Sequence, residues 1–136
     1  MAAVKTICDT DVLIDYFDAH QQRHHSTRKT LEDKIGLDNV VLSAVTKMEL
    51  VTGARNKTEL NTINKKLSRF DTLLIDPAIT ELSLSLLQTY KLSHGLLIPD
   101  CLIAATALKA GLPFFTYNVK DFQFIAKLKL YVSRDK

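Results

Sequence analysis

The stretch ICDTDVLIDYF, Ile7 to Phe17, decides how the chain is read. Val4 to Cys8 has the apolar content of a short buried strand, and Val12 to Phe17 has the spacing of a helix, with Thr10 or Asp11 placed to cap it. A strand feeding directly into a helix is the opening half of a βα unit. The same stretch places Asp9, Asp11 and Asp15 within seven positions. Like charges about 4 Å apart repel by roughly 4 kcal/mol at the effective dielectric of a protein surface. So dense a set of carboxylates needs a stabilising partner. Asp9 stands at the carboxyl end of its strand, where open α/β sheets bind ligands.

The rest of the chain repeats the pattern. AHQQRHHSTRKTLEDK reads as a second helix ending near Gly36, and Asn39 to Leu42 as a second strand. Ser43 can cap a helix running to about Asn56, and the polar NKTELNTINKKLSRF continues helically to Phe70. Thr72 to Ile75 is strand, and Asp76-Pro77 opens a helix over AITELSLSLLQTYKL. Pro99-Asp100 opens DCLIAATALKA, stopped by Gly111 and Pro113. Pro113 to Tyr117 is strand, Asp121 to Lys127 a short helix, and Lys129 to Val132 the last strand, with the SRDK tail expected to fray. Strands alternating with helices predict an α/β domain of three layers, α/β/α, around a central, mainly parallel sheet of about four to five strands.

Composition agrees. The 136 residues leave room for one domain, and 46% hydrophobic with 24% charged residues excludes disordered and fibrous classes. A formal charge of +3 tolerates a polyanionic partner without demanding one. The N-terminal segment shows no apolar core before its charges, and no run of about 18 apolar residues occurs, so neither secretion nor membrane spanning is expected. Cys8 and Cys101 fit no metal-ligand spacing and are expected to be reduced, buried residues of a cytoplasmic protein. His24 and His25 are adjacent on a helix and do not face each other, so they read as exposed polar residues and not as ligands.

Two more carboxylates stand out. Ala44, Val45, Met48 and Val51 form the expected apolar stripe of their helix, with Glu49 on its border. Asp100 opens a helix that is apolar nearly all round, shares a face with Ile103, Ala104 and Ala107, and is favoured in its ionised form by the helix dipole. PFFTYNVKDF sets Thr116, Asn118 and Asp121 at another strand end. Oxygen-bearing side chains gathered at strand ends would find their partner in a hard divalent cation, since Mg²⁺ needs only one or two direct carboxylates and keeps several waters. With four scattered glycines there is no phosphate-cradling loop, and no thiol or imidazole cluster competes for a soft metal.

Four ordered motifs, CDTDVLIDYF, LSAVTKMELVTGA, IPDCLIAATALKAGL and FFTYNVKDF, together resemble PIN-domain ribonucleases, and most of all VapC-type toxins of type II toxin-antitoxin systems. By that resemblance Asp9, Glu49 and Asp100 fall on the acidic metal-binding positions. Asn118 falls on the fourth acidic or amide ligand, Asp121 on the Asp of an Asp-Phe pair, and Thr10 and Thr116 on hydroxyl residues lining the site. Asp11 departs from the usual Asn or Ser, and Asn118 brings no charge where many members carry Asp. The resemblance implies an endoribonuclease dependent on Mg²⁺ or Mn²⁺, a homodimer, and inhibition by a cognate antitoxin whose tail enters the active groove. Metal-activated water would cleave the RNA phosphodiester in line, leaving a 5′-phosphate and a 3′-hydroxyl. Arg55, Lys57, Lys65, Lys66 and Arg69 are candidates for the RNA backbone, on what otherwise reads as a solvated helical face.

Two rivals stand beside this reading. DTDVL imitates the DxD motif of haloacid-dehalogenase phosphatases, with Asp9 as nucleophile and Asp11 as acid or base, but no downstream acidic pair with a preceding Lys follows. The other is a non-catalytic module whose acids are helix caps and whose basic helix binds RNA or protein.

Overall fold

The structure, a computed structural model, describes residues 4–132. Among these, strands β1 (Thr6–Cys8), β2 (Val40–Ser43), β3 (Asp71–Leu73) and β4 (Phe114–Phe115) form one parallel sheet in the order β3-β2-β1-β4. Helix α1 (Thr10–Phe17) follows β1, then α2 (His24–Lys29), which continues as a π-helical turn to Ile35. Helices α3 (Ala44–Thr52) and α4 (Lys57–Leu67) join β2 to β3, and α5 (Pro77–His94) and α6 (Ile98–Ala110) join β3 to β4.

Alternation along the strands sends side chains to two cores. Ile7, Val41 and Phe114 pack with Ile79, Leu86, Ile103 and Ala107 of α5 and α6, whereas Cys8, Val40, Leu42 and Phe115 pack with Val12, Leu13, Leu31 and Leu67 of α1, the π turn and α4. Both sheet faces are covered, so the central strands β1, β2 and β4 are buried along their whole length, whereas the edge strand β3, Asp71-Thr72-Leu73, is partly exposed. Each fully buried Leu, Ile or Phe contributes about 1.5 to 3 kcal/mol of transfer free energy.

The boundaries follow local chemistry. Asp76 caps α5 by accepting from the Ile79 amide at 2.8 Å, with Pro77 in the first turn, and Gly95 and Gly111 close α5 and α6 in the left-handed region at φ 69° and 67°. The helix after Ser43 stops short of Asn56: Gly53 ends it, and Asn56 begins α4 by accepting from the Glu59 amide at 2.9 Å. Asp121 to Lys127 is not a helix. A 3₁₀ turn spans Val119–Asp121, and the chain that follows buries Phe122 and Ile125 without a helix and turns through the left-handed region at Lys127, φ 68°. The last expected strand is reduced to a single parallel bridge, Phe114 to Leu130. Met48 faces solvent, and the buried side of α3 is Ala44, Val45, Thr46 and Leu50. The SRDK tail lies outside the described residues.

Strands β2 and β3 lie on one side of β1 and β4 on the other, so chain order reverses between β1 and β4. Ligands of open α/β sheets bind outside the carboxyl ends of the strands at such a reversal. Asp9 follows β1 there, and Thr116 follows β4.

Candidate metal centre

Asp9 is locked across the reversal. Its amide donates to the Phe115 carbonyl at 2.8 Å, and its carboxylate accepts from the Thr10 amide at 2.7 Å and the Thr116 hydroxyl at 2.8 Å. Asp9 itself is therefore the cap of α1, in place of the expected Thr10 or Asp11, because the backbone stays extended through Asp9 and is already helical at Thr10. The Asn118 amide donates to the Thr116 oxygen at 3.0 Å, which leaves the Thr116 proton for Asp9.

Glu49 arrives from α3, whose cap Ser43 accepts from the Thr46 amide at 3.0 Å. The exposed Glu49 carboxylate takes the Thr10 hydroxyl at 2.5 Å. Thr10 Oγ1 also lies 3.2 Å from Thr46 Oγ1, and since one hydroxyl carries one proton, Thr46 donates in that second contact. Asp100 stands half-buried in the first turn of α6.

The fields of these groups overlap. Asp9 is only 5% exposed, and burial first, then the Asp11 and Asp100 charges, push its carboxyl up to about 7 against the lowering effect of its two hydrogen bonds. Asp100 is pushed up to about 6 by burial and then by Asp121, Glu49 and Asp11. Carboxylates from four separate segments thus share one electrostatic neighbourhood. The ion pairs made by Lys5, Arg23, Arg28, Arg55, Arg69 and Lys109 all go to other acids.

A negative field that Arg23 offsets only at Asp11, built from oxygen donors alone, suits a hard divalent ion. Burial and the neighbouring carboxylates push the Cys8 thiol far above its usual range, so it stays protonated and offers no soft ligand. Among the described residues, no group of three or more His, Cys, Asp or Glu side chains is arranged to hold a metal as it stands. Glu49 is tied to Thr10. The residues therefore fit an ion held by one or two direct carboxylates with water completing the shell, the habit of Mg²⁺. Asn118 and Asp121 are both exposed at the rim, and Asp121 reaches the site through its charge on Asp100.

A PIN domain family profile matches residues 6–128. The chain belongs to the PIN domain family. Among solved structures, this PIN domain is similar to a toxin-antitoxin complex from Klebsiella pneumoniae, at 30% identity and TM-score 0.72, covering 90% of this chain and 94% of that one. It is also similar to FitAcB from Neisseria gonorrhoeae, at 25% identity and TM-score 0.69 over 93% and 96% of the two chains. It shares its fold with DNA-bound VapBC from Salmonella typhimurium, at 22% identity and TM-score 0.73 over 94% and 97%. No curated protein matches. The resemblance drawn from the four motifs is borne out, as is the three-layer fold.

The acidic opening stretch resolves into three different roles in this PIN domain. Asp9 is the buried carboxylate of the site. Asp11 accepts from the Tyr117 amide at 3.0 Å through one oxygen, and its other oxygen is buried without a hydrogen-bond partner. Asp15, on the buried side of α1, takes Arg23 Nε at 2.6 Å. Asp15 shares the buried side of α1 with Val12 and Leu13, and the Val12–Asp15 spacing of three was the available signal that this carboxylate is turned inward and needs a cation. His24 is not merely exposed, since its Nδ1 sits 2.9 Å from the Asp15 carbonyl oxygen.

The basic candidates divide. Arg55 pairs with Glu59 at 2.8 Å and Arg69 with Asp38 at 3.4 Å, whereas Lys57, Lys65 and Lys66 extend from the exposed side of α4, Lys66 with its ammonium 5.4 Å from the Phe17 ring centroid.

Thr116→Val removes the donor to Asp9 without changing shape. Above about pH 8, where Asp9 is ionised, urea unfolding of the metal-free protein should show a loss of about 1 to 3 kcal/mol. An unchanged midpoint would mean that the Thr116 hydroxyl does not serve that carboxylate.

Proposed function

We propose that the chain is a single PIN domain acting in the cytoplasm as a Mg²⁺- or Mn²⁺-dependent endoribonuclease, the toxin of a toxin-antitoxin pair. The observation that carries this reading is the buried Asp9 at the sheet reversal, which feels the charges of Asp11 and Asp100, while Asp100 in turn feels Glu49 and Asp121; of these acids only Asp11 is offset by a cation, Arg23. When bound, a divalent ion supplies an activated water and neutralises charge on the phosphate. Asp9 and Asp100 are the residues to hold it, and Asn118 or Asp121 complete its surroundings. Thr116 fixes the Asp9 carboxylate, and Thr10 fixes Glu49, which orients the attacking water. Lys57, Lys65 and Lys66 meet RNA phosphates, with Arg55 and Arg69 joining them only by exchanging their present acidic partners.

Asp11 does not support the phosphatase reading: its carboxylate is committed to the Tyr117 amide on one side and enclosed on the other, away from acid-base work. No helix among the described residues is long and apolar enough to cross a membrane, and Cys8 and Cys101 are free and buried.

The partners follow from the same surface. Ile14, Phe17, Leu50 and Ile63 line a groove beside Glu49 that suits an antitoxin tail, in keeping with solved relatives described as toxin-antitoxin complexes. Exposed Leu84, Leu92, Leu97 and Ile98 give α5 and the start of α6 an apolar face suited to a second copy. Sedimentation equilibrium should return twice the chain mass, and a monomer would contradict the homodimer.

Induced expression tests the whole reading. Wild type should halt growth and fragment cellular RNA, Asp9→Ala should do neither, and a small protein encoded in the adjacent frame should restore growth. Equal toxicity from wild type and Asp9→Ala would refute the assignment.

A further inference from the structure

The segment that carries Thr116 and Asn118 is short: β4 ends at Phe115, and the next hydrogen-bonded turn begins at Val119. Between them Thr116 is held by Asp9 and the Asn118 amide, and Tyr117 is tied on three sides. Its amide donates to Asp11 of α1 at 3.0 Å, its hydroxyl lies 2.5 Å from the hydroxyl of the fully buried Thr27 of α2, and the Arg23 guanidinium sits 4.0 Å above its ring centroid. Arg23 is itself fixed from below by the 2.6 Å ion pair to Asp15, whose side chain is 6% exposed. The guanidinium is planar and satisfies both demands at once, donating in its plane to the carboxylate and stacking through its face on the phenol.

We propose that Arg23 is a positioning residue of the site: bridging Asp15 and the Tyr117 ring from the surface, it clamps residues 116–118 against α1 and α2, so that Thr116 keeps its hydroxyl on Asp9. Arg23 makes no ion pair with Asp9 or Asp100; it reaches the site through Tyr117 and through its charge on Asp11. The clamp adds to the direct bonds by which Tyr117 already ties the end of β4 to Asp11 of α1 and Thr27 of α2. Its catalytic consequence rests on the nuclease reading, whereas its structural consequence does not.

Amide hydrogen exchange measured by NMR separates the two. In Arg23→Ala the Tyr117 and Asn118 amides, which donate to Asp11 and Thr116, should exchange at least about tenfold faster, while the Ile7 amide within the sheet is unchanged. Arg23→Lys keeps the ion pair and loses the stack, and should fall between. Tyr117→Leu should speed exchange at Asn118 as much as Arg23→Ala does. Unchanged exchange at 117 and 118, or a uniform rise across the sheet, would overturn the proposal.

In RNA cleavage, Arg23→Ala should lower kcat about tenfold with KM unchanged, the scale of an outer-sphere partner. A raised KM with unaltered kcat would instead make Arg23 an RNA contact and overturn it. A wild type that cleaves nothing would sink the nuclease reading and leave the exchange result to decide the clamp.

Discussion

Asp9→Asn should abolish RNA cleavage and, in chelator at about pH 8, make the protein melt higher than wild type. The first effect comes from the site: losing the carboxylate that holds the ion removes several kcal/mol of transition-state stabilisation, a fall of roughly 10³-fold or more. The second comes from burial. Folded Asp9 holds its proton up to about 7, above the ordinary carboxylate value of 3.8. Between those values the folded state binds a proton that the unfolded state has released, so stability falls as pH rises through that window. Above it the folded protein carries a buried charge that costs on the order of 2 to 4 kcal/mol. An asparagine keeps an oxygen for the Thr10 amide and offers its NH₂ to Thr116, and it carries no charge. The gain should vanish below about pH 4, where wild-type Asp9 is protonated in both states. A variant that melts lower than wild type at pH 8, or that still cleaves, would contradict this role.

The second large effect concerns the cation itself. A chelator should stop cleavage completely, and Mn²⁺ or Mg²⁺ should raise the melting temperature far more at about pH 8 than at about pH 5. Protons and the cation compete for Asp9 and Asp100, whose carboxyls titrate at about 7 and about 6. At a hundred times the dissociation constant the ion should add about 2.7 kcal/mol to the folded state. Asp100→Asn should lose most of that gain. Cleavage that survives chelation, or a melt indifferent to metal at the higher pH, would show that the acidic pocket serves another purpose.

Much of this was legible in the chain before its coordinates, for identifiable reasons. Fully apolar strands such as Val40–Leu42 announce a sheet covered on both faces, and Asp76-Pro77 and Gly111 mark their helix ends by local chemistry. Asp9, Glu49 and Asp100 were recognisable because a charge beside an apolar run has to be explained. What was not legible depended on contacts between distant segments. The strand end marked Asp9, but that Asp11 braces the Tyr117 amide of a segment more than a hundred residues away had no local sign. The short helix expected over Asp121 to Lys127 is instead a 3₁₀ turn followed by irregular chain, with Lys127 in the left-handed region at φ 68°. Thr10 and Thr116 were noted as lining residues. Their distinct duties, one on Glu49 and one on Asp9, required the geometry.

Anomalous scattering from a crystal soaked in Mn²⁺ at about pH 8 bears most directly on the claim that these carboxylates form one cation pocket. A single peak should lie at coordination distance, ~2 Å, from oxygens of Asp9 or Asp100, with Glu49 reaching it directly or through water. A soaked crystal with no peak there, or with manganese bound only at other acids such as Asp38 or Asp71, would contradict it.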